Sequence, residues 1–265
     1  MKTGHIISII SNQYLVCMDS GEQVVCVAMG KLRKGRSPIV GDRVVVERFE
    51  SQSGIQRILP RRNALRRPAV ANVDQAIIVM STQCPDFATQ LVDRLIFQIC
   101  YADIEPLICV TKMDLVTAHD PVHAFIADYR RSGYQVFEAA KDNAPQDLIS
   151  ALKGRVSVLC GQSGAGKSTL LNSIEPSFQL RTQETSKALG RGRHTTRHCE
   201  LHEVAQGWVA DTPGFSSLDF HGAGKAFLMY PGFCRCSGHV PLQGLPSSAR
   251  TWLRGKGSGG SRKDQ

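Results

Sequence analysis

The sequence predicts an α/β fold, a doubly wound sheet behind a small β-barrel, and three observations carry that expectation. The first 58 residues break into short strands, strands and helices alternate from residue 73, and one strand runs through a glycine-rich loop into a helix. In the barrel, His5–Ile10 (HIISII), Gln13–Met18 (QYLVCM) and Gln23–Met29 (QVVCVAM) are separated by Ser11-Asn12 and Asp19-Ser20-Gly21. Gly41-Asp42 precedes Arg43–Phe49 (RVVVERF). Four or five short strands in so few residues suit a barrel of the OB type, and SH3-like barrels read the same way. Residues 51–72 have the character of a linker, with Pro60-Arg61-Arg62-Asn63 and Arg67-Pro68 as breakers within a run of charge. The barrel is set at residues 1–58 and the basic linker at 59–72.

Beyond the linker, Val73–Ser81 is expected to be a buried strand, and Thr89–Tyr101 an amphipathic helix with Leu91, Leu95, Ile96 and Ile99 at helical spacing. Glu105–Thr111, Tyr134–Ala139, Arg155–Cys160 and Gly207–Ala210 are further strands. Pro121–Ser132 and Gln146–Lys153 are helices, and another helix starts at Lys167. The alternation predicts a doubly wound sheet over residues 73–222.

Composition narrows the partners. A formal charge of +9 favours polyanions. The basic residues gather at Lys31, Arg33, Lys34 and Arg36, then at Arg61, Arg62, Arg66 and Arg67, then at Arg191, Arg193 and Arg197. These clusters fall in loops and linkers, where RNA is the favoured partner and solvated loops the plain alternative. No apolar run approaches the roughly 20 residues that span a bilayer, and MKTGHIISII reads as a strand rather than a leader, so a cytoplasmic protein without a membrane partner is expected. Of nine cysteines, Cys17, Cys26, Cys100, Cys109 and Cys160 sit in apolar segments and read as buried thiols.

The chemistry is concentrated in three motifs. Gly161-Gln162-Ser163-Gly164-Ala165-Gly166-Lys167-Ser168, followed by Thr169, matches G-x-x-x-x-G-K-[ST] between a strand and a helix. Its glycines let backbone N–H groups turn inward around phosphate, and the helix N-terminus adds a positive dipole end. Lys167 is expected to reach the β- and γ-phosphates, and Ser168 to place a hydroxyl on Mg²⁺. Asp211-Thr212-Pro213-Gly214 ends a strand, so Asp211 suits a Mg²⁺-coupled carboxylate and Gly214 an N–H that senses the γ-phosphate. Thr111-Lys112-Met113-Asp114 is an [NT]-K-x-D stretch. There Asp114 would accept from the guanine N1–H and amine, the Lys112 stem would cover the ring, and Ala139-Ala140 would supply a backbone contact to O6. Together these motifs favour GTP and GDP over an ATP-dependent kinase reading. The base motif precedes the phosphate loop, the reverse of the usual order, and close domain termini allow such a permuted chain to build the same site.

That order, with the barrel in front, resembles the circularly permuted GTPases of the RsgA/YjeQ family, which depend on the small ribosomal subunit. The resemblance rests on Val40-Gly41-Asp42, Pro60-Arg61-Arg62-Asn63, Ala71-Asn72-Val73-Asp74-Gln75, the phosphate loop, Gly192-Arg193-His194-Thr195-Thr196 and Asp211–Phe215 (DTPGF). It implies a GTPase using Mg²⁺, acting late in small-subunit maturation, with the barrel on rRNA; a monomer is expected. Thr195 or Thr196 would complete the Mg²⁺ shell in a switch segment. Phe215 stands where many GTPases carry a water-orienting glutamine, which makes His194 the candidate catalytic group, with an RNA contact as its alternative role. A defective remnant, or a nucleotide-gated RNA-binding module with little turnover, is the competing function.

The resemblance fails in the tail. The family's zinc ligands follow Cys-x4-Cys-x-His-x5-Cys, whereas this chain has Cys234, Cys236 and His239 with no later cysteine. Two cysteines one residue apart fit a closed tetrahedral site poorly. Residues 223–265 read as the remnant of a zinc region, and 240–265 as a disordered tail rich in Gly, Ser and Arg. One hypothesis is a change of reading frame. With suitable third-codon bases, His239–Gly257 read one base later gives M-C-R-C-R-D-C-L-H-L-H-E-P-G-C-E-V-K, which holds the complete zinc pattern. Sequencing the gene tests this: a coding sequence in which no single-base shift restores the pattern refutes it.

Overall fold

Five strands build the N-terminal barrel: β1 Lys2–Ile10, β2 Gln13–Met18, β3 Gln23–Ala28, β4 Arg43–Arg48 and β5 Ser53–Ile58. They are seen in a computed structural model that describes residues 2–29, 37–49, 52–66, 68–141, 143–176 and 199–211. β1 pairs with β2, β2 with β3, β3 in parallel with β5, β5 with β4, and β4 back with β1. The circuit is closed, with one parallel pair, as an OB-type barrel requires. Alternation of side chains turns Ile6, Val16, Cys26, Val44, Val46 and Ile55 into a shared interior. The fifth strand lies at the start of the stretch with linker character, where SGIQRI offers little apolar pattern.

The second half follows the expected alternation: β6 Gln75–Ser81, α1 Thr89–Tyr101, β7 Glu105–Thr111, α2 Val122–Arg131, β8 Gln135–Glu138, α3 Gln146–Leu152, β9 Val156–Cys160 and α4 Lys167–Ile174. A hairpin of β10 Glu200–Val204 and β11 Gly207–Asp211 completes it. The strands run in the order β10-β11-β9-β6-β7-β8, and neighbours from β11 to β8 are parallel. β6 is buried along its whole length, as a strand covered on both faces must be. One face packs Ile78, Met80 and Val110 with Leu95, Ile96 and Ile126 of α1 and α2. The other packs Ile77, Val79 and Cys109 with Leu148, Leu152 and Leu170 of α3 and α4. Helices on both faces make the sheet doubly wound. β10 was not among the expected strands because ELHEV mixes charged with apolar residues, yet it buries Leu201 and Val204.

The stretch between barrel and sheet contains no regular helix or strand among its described residues, and it is packed rather than loose. Arg61 donates from Nε to Asp42 Oδ1 at 2.6 Å and from a terminal nitrogen to Oδ2 at 2.7 Å. The Asp42 side chain is 0% exposed and that of Arg61 12%. The Ile39 N–H adds a third donor to the same carboxylate. Gly41 has φ +82°, and a Cβ there would lie 2.2 Å from the Ala71 carbonyl oxygen, so the joint admits only glycine. Asn72 donates to the Gly41 carbonyl, Asn63 exchanges two hydrogen bonds with the Val73 backbone, and Arg62 pairs with Asp74. Asp74 accepts in turn from the Val156 N–H at the start of β9. Arg61, expected within a basic cluster for RNA, is therefore engaged inside the fold, while Arg62 pairs with Asp74 at its surface.

Two further contacts tie the barrel to the sheet. Ser8 of β1 pairs with Glu200 of β10, and the His5 ring meets Trp208 of β11 edge-on at 4.7 Å. Burial, helped by the nearby Arg43 charge, holds the His5 imidazole below its ordinary pKa. No helix among the described residues is long and apolar enough to cross a membrane. Arg61→Ala would strand the buried Asp42 carboxylate, and urea unfolding should register a loss of about 3 kcal/mol. A change below about 1 kcal/mol would place the pair among surface contacts instead.

Candidate functional site

The parallel strands end together. Ser81 is opposite Thr111, Ile78 opposite Cys160, and Val158 opposite Ala210, so β7, β6, β9 and β11 deliver their C-terminal ends to one edge of the sheet. That edge is where open α/β sheets bind ligands.

The glycine-rich loop leaves β9 at Gly161, whose φ is +135° and whose Cβ, if present, would sit 2.0 Å from the Val79 carbonyl oxygen. Gly164 and Gly166 are also left-handed, at φ +81° and +87°. Only glycine lets the backbone turn this way while passing so close to β6. Ala165 is fully buried, and α4 starts at Lys167. The Lys167 ammonium donates to the carbonyls of Gly161 at 2.8 Å and Gln162 at 2.6 Å. Burial lowers its pKa from the usual lysine value. The side-chain oxygen of Gln162 is buried without a hydrogen-bond partner among the described residues. A glycine-rich loop running into a helix N-terminus that carries a lysine can hold a phosphate chain.

The base motif lies beside it. Thr111, buried at the end of β7, donates its hydroxyl to the Ala165 carbonyl at 2.7 Å. A Cβ on Gly166 would come within 3.3 Å of that hydroxyl, so the loop and the motif are in contact. The Met113 N–H donates to Ala139, and the Ala139 N–H to Val110. Asp114 is exposed, and its Oδ1 accepts from the Lys141 N–H at 2.9 Å. Ala139 thus stands next to Met113, and the loop Gly161–Ser168 adjoins Thr111. Thr169 is exposed on α4. Asp211 ends β11, opposite Glu200, at the same edge of the sheet.

Several expected groups lie outside the described residues: His194, Thr195, Thr196, Gly214, Phe215, Cys234, Cys236 and His239, together with the basic runs Lys31–Arg36 and Arg191–Arg197. Among the described residues no three His, Cys, Asp or Glu side chains are grouped to hold a metal. Cys17, Cys26, Cys100, Cys109 and Cys160 are buried, as expected. Burial pushes Cys109 and Cys160 up to about 12. Sequence reasoning passed over Lys141 and the loop Thr82–Pro85 after β6. Their only signal was the Cys84-Pro85 breaker, because the Thr82 and Gln83 side chains donate to backbone carbonyls and Lys141 acts through its own N–H, pairings that no motif marks.

Thr111→Val keeps the shape of the side chain and removes the bond between the two motifs. Titration with a fluorescent guanine nucleotide should show affinity weakened about fivefold, and unchanged affinity would mean the contact does not organise the site.

Residues 58–221, more than half of the chain, match the family model for the RsgA GTPase. The small ribosomal subunit biogenesis GTPase RsgA of Bacillus subtilis is 44% identical over 230 residues, covering 83% of this chain and 77% of that protein. The crystal structure of YloQ, a circularly permuted GTPase, aligns over 97% of this chain and 89% of its own with a TM-score of 0.71 and 34% identity. That of YjeQ from Thermotoga maritima aligns over 81% and 75% with a TM-score of 0.69 and 32% identity. With the permuted order of motifs meeting at one sheet edge behind a closed barrel, the chain belongs to the RsgA GTPase family.

Proposed function

We propose that this chain binds GTP with Mg²⁺ at the edge formed by β7, β6, β9 and β11, hydrolyses it, and acts in late maturation of the small ribosomal subunit with its barrel on rRNA. The observation that carries the reading is the contact between Thr111 and Ala165, which sets a guanine-type motif directly against a phosphate loop. The relatives named as small ribosomal subunit biogenesis GTPases support the partner. On this reading Lys167 exchanges its contacts with the Gly161 and Gln162 carbonyls for the β- and γ-phosphates, a change favoured by the charge of the phosphates. Asp114, held through the Lys141 N–H, takes the base edge, and the Ala139-Ala140 backbone takes O6. The hydroxyl of Ser168 and the carboxylate of Asp211 would hold Mg²⁺, which neutralises charge on the phosphates when bound. Thr195 or Thr196 would join them, and His194 would assist the attacking water. The chain works as a cytoplasmic monomer.

Phosphate release measured with and without small subunits tests the assignment. A basal rate raised at least about tenfold by the subunits is expected. A rate that subunits leave unchanged, with GTP still bound, would favour the nucleotide-gated RNA-binding module.

A further inference from the structure

The loop after β6 is engaged with the base motif at every residue from Thr82 to Cys84. The Thr82 N–H donates to the Thr111 carbonyl, and the Thr82 hydroxyl donates to the Lys112 carbonyl at 2.9 Å. The Lys112 ammonium donates to the carbonyls of Gln83 at 2.7 Å and Cys84 at 2.6 Å. The Gln83 amide donates to the Leu115 carbonyl at 3.0 Å. Behind the loop, the buried Ser81 hydroxyl donates to the Pro85 carbonyl and fixes its far end. These bonds surround a residue in an uncommon conformation: Lys112 has φ +60° and ψ +33°. A non-glycine residue there is held by its surroundings, since left-handed backbone disfavours a Cβ.

We infer that Thr82–Cys84 is a positioning clamp for base recognition, a second wall that belongs to none of the nucleotide motifs. The inference rests on the guanine reading of Thr111–Asp114. The chemistry is direct. The left-handed turn at Lys112 redirects the chain so that the single turn Met113–Leu115 presents Asp114 two residues on. The Thr82 hydroxyl holds the carbonyl of that turn, and Gln83 holds its end at Leu115. The two loop carbonyls hold the Lys112 ammonium, so its donors are engaged at the loop rather than at the Asp114 carboxylate. Free to swing, that ammonium would compete with the base amine for Asp114. The clamp therefore acts on discrimination by the base edge, whereas phosphate binding depends on the loop at Gly161–Ser168.

The test compares GDP with IDP, which lacks the exocyclic amine, by calorimetry on the full chain. Thr82→Val should cut the preference for GDP over IDP about tenfold while IDP affinity stays within twofold, and Thr82→Ser should restore the preference. Gln83→Ala, at an exposed position, carries the same test in a variant with little influence on folding, with a loss of about threefold expected. A preference that survives both substitutions at an unchanged Tm overturns the clamp and leaves the GTP reading intact. A wild-type chain that binds GDP and ADP equally overturns the GTP reading, and the clamp with it.

Discussion

The ion pair of Asp42 and Arg61 is the constraint on which the arrangement of the two halves depends. A carboxylate this deeply buried is tolerable only with a full set of donors, and Arg61 supplies two of them in a planar fork. Satisfying it draws the segment after β5 back across the barrel, where Ala71 passes so close to Gly41 that no side chain fits. From there Asn63, Asn72 and Asp74 carry the network to the start of β9. The sequence stretches VGD, PRRN and ANVDQ, widely separated along the chain, are thus one structural object.

The same economy governs the nucleotide end. A Cβ on Gly161 would lie 2.0 Å from the Val79 carbonyl oxygen, and Thr111 bonds to Ala165. The phosphate loop is seated on β6 and β7, strands that precede it. A permuted chain can build the site because the contacts depend on strand neighbours in space and are indifferent to order along the chain. β10 and β11 connect this end to the barrel, since Ser8 pairs with β10 and His5 packs on β11.

Much of this was legible in the sequence, and what was not has physical reasons. The bounds expected for α1 and β7 agree with those observed because their apolar periods are unbroken. The phosphate loop and the base motif were readable because their chemistry sits in side chains and glycines at fixed spacing. β10 escaped notice because two of its five residues are glutamates and only Leu201 and Val204 are buried. The role of Arg61 was misjudged because an arginine in a basic run looks the same whether it meets water, RNA or a buried carboxylate. Thr82 and Gln83 donate from their side chains to backbone carbonyls, and Lys141 donates from its own N–H, so the partners leave no mark on residue identity.

The position of β9 has a consequence for synthesis on the ribosome. This strand lies between β11 and β6, yet it is made after β6, β7 and β8. During translation, β7 and β8 can cover one side of β6 while its other edge, along the apolar run AIIVM, has no partner until residue 160 has emerged. An open apolar edge invites pairing with other chains. Vectorial synthesis thus makes the permuted order a demand on the nascent chain as well as a feature of the finished sheet.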